Sequence, residues 1–126
     1  MVIGFNKKFV EPILKGVKVH TIREDKNNRW KAGMLMHMAT GVRTKQYKEF
    51  AKTLCECTCG IEIEPQAKTV QLIHSIKESE FLGDNGIKTL AKNDGFNSVE
   101  DFWKWFNKPF VGKLIYWKRN SIKKTN

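Results

Sequence analysis

Hydrophobic and polar residues alternate most clearly over Leu54 to Glu64. Cys55, Cys57, Cys59, Ile61 and Ile63 share one parity, and Glu56, Thr58, Glu62 and Glu64 share the other. A two-residue period places one face in a core and one in water, so it predicts a half-buried strand. Lys68 to Ile76 is a second such run, with Pro65 fitting a turn between the two. His74 has the parity of Val70, Leu72 and Ile76, which directs it to the core with a satisfied hydrogen bond; a place in a pocket is the other reading. Val2 to Phe5, Val19 to Arg23 and Met34 to Thr40 are shorter strand candidates, the last opened by Gly33.

Helical spacing occurs in two places. Phe9, Ile13 and Leu14 recur at a helical period, with Pro12 acceptable only in the first turn and Gly16 as the stop. Ser98-Val99-Glu100-Asp101 resembles a capping box with Asp in place of Glu, and Phe102, Trp105 and Phe106 form the apolar stripe behind it. That stripe puts Trp105 in the core and Trp103 outside. Glu80 to Asn93 reads as a loop followed by a helix. Pro109 ends the last helix, and Val111 to Trp117 is a closing strand. The resulting order is strand, helix, several strands, helix, strand, without the regular alternation of a parallel doubly wound sheet. It predicts an α+β fold, a small and partly closed β-barrel with flanking helices, in which closure protects strand edges. The domain is expected over residues 1–119, with 120–126 a short basic tail that frays.

At 126 residues the chain has room for one core, since folding at this size hides about two-thirds of the unfolded surface. Hydrophobic residues make up 40%, including 8 Phe and 4 Trp, which excludes a disordered chain. The net charge of +10 changes the picture more. Residues 1–52 hold twelve basic and four acidic side chains, residues 53–111 lean acidic, and residues 112–126 hold five basic and no acidic ones. Clustered cations attract polyanions and release phosphate counterions. No apolar run approaches the ~20 residues of a bilayer span, so no membrane partner is expected. The N-terminus has its apolar residues ahead of its cations, the reverse of a secretory signal.

The three cysteines form Cys55-Glu56-Cys57-Thr58-Cys59. That odd count argues against a disulfide framework and for a reducing, cytoplasmic setting. On a strand the three sulfurs spread over about 13 Å at ~3.3 Å per residue, so they read as packing residues, with no metal site expected. His20, His37 and His74 share no motif spacing. Nothing resembles a nucleotide-cofactor motif, and no cofactor is expected. The informative segment is Gly16-Val17-Lys18-Val19-His20-Thr21-Ile22-Arg23. It puts a cation, a hydroxyl and a second cation where a helix stops and a strand begins. Thr21 and Arg23 share parity; Lys18 joins them only from the connection ahead of the strand. A lysine beside a threonine can activate the hydroxyl or steady an oxyanion, and arginine offers a planar fork for phosphate or carboxylate. Ordinary surface cations on a solvated strand are the other reading.

Gly16-x-Lys18-x-x-Thr21-x-Arg23, preceded by Phe5, Phe9, Ile13 and Leu14, resembles the opening of ASCH domains. Arg29-Trp30-Lys31-Ala32-Gly33 is similar to that family's turn into its next strand, and the late aromatic helix and closing strand sit where the family has them. The resemblance spans most of residues 3–118. It implies a PUA-like barrel and RNA or a nucleoside as partner, bound beside Lys18, Thr21 and Arg23. One branch of the family removes the acetyl group from N4-acetylcytidine with a lysine, a threonine and a glutamate. Lys18 and Thr21 match two of these, and Asp94, one methylene shorter, aligns with the third. Asp94 also reads as a helix-end residue beside Gly95. Arg29, Arg43, Lys45, Lys118 and Arg119 are the further cations expected to hold nucleic acid, with Tyr47 and Trp117 interleaved. A ribonuclease-like activity and a protein-interaction domain are the lesser readings.

Overall fold

A computed structural model describes residues 1–125. It is a mixed helix-and-sheet fold of eight strands and three short helices. In order these are β1 (Val2–Gly4), α1 (Val10–Leu14), β2 (His20–Arg23), β3 (Leu35–Thr40), β4 (Lys48–Glu64), β5 (Thr69–Ser75) and β6 (Glu78–Phe81). Then come α2 (Asp84–Asn93), α3 (Val99–Trp105), β7 (Phe110–Trp117) and β8 (Lys123–Lys124). The expected starts at Val2, Phe9, Val19, Met34, Lys68, Ser98 and Val111 fall within two residues of these elements, whereas the strand expected from Leu54 begins six residues earlier, at Lys48.

The long β4 organises the sheet. Its first half pairs antiparallel with β3 and β8, and its second half pairs antiparallel with β5 and β7. β1 lies parallel to β3, β2 antiparallel to β7, and β6 antiparallel to β5. The strand path runs β1-β3-β4-β5-β6, with β2, β7 and β8 branching from it, and it does not close into a ring. Two bulges let one strand serve both halves. Phe50 is the extra residue against β3, where Met38 pairs with Ala51 and Ala39 with Glu49. Glu56 is the extra residue against β7, where Cys55 pairs with Trp117 and Cys57 with Tyr116. A bulge bends its strand and increases the local twist.

The core lies inside this bend. Ile3, Met36, Met38, Ile61, Ile63, Val70, Leu114 and Ile115 are sealed between the strands, α1 brings Ile13, α2 brings Leu90 and α3 brings Phe102. Among the described residues no helix is long and apolar enough to cross a membrane.

Four expectations are corrected. Cys57 is exposed and Cys59 half-buried, because they lie just past the bulge at Glu56, where the strand bends; the cover resumes on the same parity at Ile61 and Ile63, and of the three cysteines only Cys55 is sealed. His74 is exposed at the end of β5, beyond the helices, where Nε2 reaches Glu80 at 3.1 Å. Glu80 and Phe81, expected in a loop, end the strand Glu78–Phe81, which pairs with β5 although all four of its residues are exposed. Trp105 is 49% exposed, while Trp103 is half-buried beside Phe102. α3 has only seven residues; Phe102 and, just past its end, Phe106 are buried, with Val99 and Trp103 packed against them, which leaves Trp105 on the outer side.

The basic tail is also ordered up to Thr125. A turn over Arg119–Ser121 leads into β8, which pairs with Ala51 and Lys52, and the Thr125 N–H donates to the Phe50 carbonyl at 2.9 Å.

Candidate functional site

The cleft begins at the end of α1. The Val17 and Lys18 amides both donate to the Pro12 carbonyl, at 2.9 and 3.0 Å, and tighten the chain behind the helix. Gly16 makes that reversal at φ +77°, a left-handed conformation that costs glycine little. Lys18 therefore lies in the connection ahead of β2, with its side chain turned inward and only 2% exposed. Thr21 and Arg23 follow on β2.

Asp94 comes from the far end of the chain. It caps the C-terminus of α2, its amide donating to the Leu90 carbonyl at 2.9 Å, so the helix-end reading is correct for its backbone. Its side chain points inward and is 5% exposed. Gly95 follows at φ +94°, and a Cβ there would stand 3.2 Å from the Lys18 side chain and from Phe9. Glycine thus lets the end of α2 press against Lys18.

Lys18 Nζ donates to the Asp94 carbonyl oxygen at 2.6 Å and lies 3.2 Å from Asp94 Oδ1. His20 Nδ1 is 3.0 Å from the same Oδ1, and His20 is 1% exposed. Arg23 Nε donates to Thr21 Oγ1 at 3.1 Å, and Arg23 Nη2 donates to the Gly4 carbonyl, spanning the gap between β2 and β1. Phe9 lies under Lys18 Nζ at 4.6 Å, and Phe5 lies under the Arg23 guanidinium at 4.8 Å. Cations over aromatic faces are held by the ring quadrupole, more strongly where water is excluded.

Lys18, Thr21, Arg23, Asp94, Phe5 and Phe9 line a cleft of about 270 Å³ together with Phe96, Trp105 and Phe106, while His20 stands behind Asp94 and outside the lining. Lys18, Thr21 and Asp94 share it, and Arg23 stands at its wall. Burial pulls the Lys18 ammonium below its usual value, with the Asp94 charge and hydrogen bond pulling the other way. Burial likewise lowers Arg23, again opposed by Asp94. The arrangement offers a hydroxyl, two desolvated cations and a carboxylate to one small ligand between aromatic walls. It can bind a planar polar group, and it holds the parts of an acid–base centre.

The other expected cations lie elsewhere. Arg29 is exposed in the loop after β2, with Nη2 3.2 Å from Met1 Sδ. Arg43 and Lys45 are exposed in the loop between β3 and β4. Lys118 and Arg119 line a separate and wider groove of about 830 Å³, which also includes Lys92, Glu56 and Tyr116. Arg119 Nη2 donates to the Gly16 carbonyl at 2.6 Å, so this groove and the cleft share the Gly16–Val19 turn.

Phe96 and Trp105 line the cleft, and His20 supports Asp94 from behind it, without having been expected there. Asp94 is 74 residues from His20, so no local spacing announces their contact. No family model, curated protein or solved structure matches this chain.

Proposed function

We propose that the chain is an ASCH-type, PUA-like module that binds RNA or a modified nucleoside, taking one base into the cleft around Lys18, Thr21 and Arg23. The observation that carries this reading is the convergence of those three side chains with Asp94 between Phe5, Phe9, Phe96 and Trp105. The aromatic walls suit the faces of a base, and the polar groups suit its edge. At about 270 Å³ the cleft lies just below the usual range of small-molecule sites, the scale of a single base or nucleoside. The neighbouring groove brings Lys92, Lys118 and Arg119 to the same turn, where phosphates flanking that base would run. The barrel half of the reading draws on the bend of β4 and on Arg23 bridging β2 to Gly4.

Titration of a short single-stranded RNA at increasing salt tests it. Affinity is expected to fall steeply with salt, and Arg23→Ala is expected to weaken binding about tenfold or more, the scale of a lost charged hydrogen bond. Absence of binding at low salt would falsify the nucleic-acid form of the proposal.

A second reading, amide hydrolysis of an N4-acylated cytidine, is favoured by one further observation. Lys18 and Asp94 form a buried ion pair in the cleft that holds Thr21, and Thr21 Oγ1 accepts from Arg23, which leaves its own proton free to transfer. Thr21 Oγ1 would attack the acyl carbon while Lys18 activates it or steadies the oxyanion; the amide C–N bond would break as Asp94 passes the hydroxyl proton to the departing cytidine amine, and a water would then hydrolyse the threonyl ester to acetate and restore the hydroxyl. Chromatography of N4-acetylcytidine incubated with the protein should then show cytidine and acetate. Lys18→Ala and Thr21→Ala should each abolish turnover; equal turnover by these variants removes the reading.

A further inference from the structure

The Asp94 carboxylate is held on one oxygen only. Lys18 Nζ and His20 Nδ1 both reach Oδ1, at 3.2 and 3.0 Å, and these two contacts use its two lone pairs. Oδ2 has no hydrogen-bond partner among the described residues, and it is not one of the side-chain polar atoms sealed without a partner; Trp117 Nε1 is the sole such atom among them. Since Asp94 lines the cleft, the free oxygen opens there. The imidazole itself is fixed from behind, by the ring of Tyr116 edge-on at 5.1 Å and by 1% exposure. An ionised carboxylate only accepts, so its contact with His20 places the imidazole proton on Nδ1.

We propose that His20 is a positioning residue: by holding Asp94 Oδ1 together with Lys18, it turns Oδ2 toward the cleft as a lone acceptor and so selects ligands that present an N–H at that edge. The selectivity half rests on the reading of the cleft as a base-binding site; the positioning half does not. Lys18 alone cannot fix the carboxylate. Its second bond goes to the Asp94 backbone carbonyl, which leaves the side-chain torsion of Asp94 with a single restraint. Removing the imidazole would let the carboxylate rotate and offer either oxygen to Lys18. With Oδ2 held free toward the cleft, a base with an exocyclic amine is favoured over one with a carbonyl at the same place, because a carbonyl facing a carboxylate leaves two acceptors unpaired in a dry site; once the carboxylate rotates, Lys18 can take the oxygen at the cleft edge and that advantage falls away.

The experiment compares two nucleoside pairs differing by amine against carbonyl, cytidine with uridine and adenosine with inosine. Binding is measured by calorimetry to the wild-type chain, His20→Leu and His20→Asn. Wild type is expected to prefer the amine-bearing member of at least one pair by about tenfold or more. His20→Leu should reduce that ratio to near one. His20→Asn, whose amide nitrogen can stand where Nδ1 stands, should restore it, which a merely structural loss would not do. A wild-type preference that survives in His20→Leu, or no preference in either pair, overturns the selectivity. Nitrogen-15 spectra of the wild-type imidazole need no ligand and no variant. A proton on Nδ1 that is protected from exchange supports the positioning, and a proton on Nε2 overturns it. If no nucleoside binds, the base-binding reading and the selectivity fall together, and the spectrum still decides the positioning.

Discussion

Lys18 and Asp94 illustrate how the cost of a buried charge depends on its partner. Each is almost fully removed from water, and each supplies the other's counter-charge. Lys18→Met leaves a buried carboxylate whose main counter-charge is gone, so thermal unfolding should show a loss of about 3–5 kcal/mol. Adding Asp94→Leu removes the stranded charge and should recover most of that loss, since well-packed apolar replacements of buried pairs are often neutral. A double variant no more stable than Lys18→Met would show that the pair is held for reasons other than mutual neutralisation. The motif around Lys18 was readable because its residues are close in sequence, with Thr21 and Arg23 on one face of β2 and Lys18 in the connection just ahead of it. His20 was not, because its significance arises from a carboxylate at the far end of α2. Cys57 failed for a different reason: the bulge at Glu56 bends the strand locally and uncovers Cys57, although Ile61 and Ile63 keep the same parity and are sealed.

At the scale of elements, α3 shows a short helix setting a wall of the cleft. Ser98 Oγ accepts from the Asp101 amide at 3.1 Å, the cap that the sequence pattern indicates. The seven residues behind it have few internal bonds to spare. Ser98→Ala is therefore expected to cost about 1 kcal/mol in denaturant unfolding. Because Phe102 and Phe106 anchor the helix while Trp105 faces the cleft, the same variant should also weaken ligand binding. Unchanged affinity with reduced stability would mean that Trp105 is held by its neighbours and not by the cap. The strand β6 was missed because all its residues are exposed, so no apolar alternation marks it. It exists through pairing with β5, which local pattern does not encode. The C-terminal tail, so basic that it read as loose, is held by β8 pairing and by Arg119 on Gly16.

Across the whole molecule the positive charge is pinned as well as displayed. Asp25 is 2% exposed in its side chain, 3.0 Å from Lys113 Nζ, and accepts the Arg29 and Trp30 amides at 2.8 and 3.0 Å. Burial alone would push its carboxyl up, but the two amides and the Lys113 ammonium outweigh burial and hold it below the usual 3.8. A carboxylate depressed in the folded state adds stability that is present above the unfolded value and is lost as pH falls through the folded one. The stability gap between wild type and Asp25→Asn should therefore be constant from pH 7 to 5 and shrink as pH falls below about 3.8. A gap that stays constant to the acid limit would show that Asp25 contributes no proton linkage. The general character of the fold, strands around one core with late aromatic packing, was legible from period and punctuation. How the strands connect was not, because one 17-residue strand serving both halves of the sheet is a property of two bulges and of partners distant in sequence.

That shared strand also divides the cleft between the two ends of the chain. Lys18, Thr21 and Arg23 precede β4, while Asp94, Phe96 and Trp105 follow it. The turn after β4 has an exposed tip at Gln66 and Ala67. A chain opened there would yield one piece carrying the cations and another carrying the carboxylate, each with half of a binding site and neither with a complete core. β7 and β8 would find their partners only on the other piece, and β5 would keep β6 while losing β4. Recovery of a functional cleft on mixing would then report reassembly directly, which makes the molecule a natural split-protein pair whose readout is its own ligand.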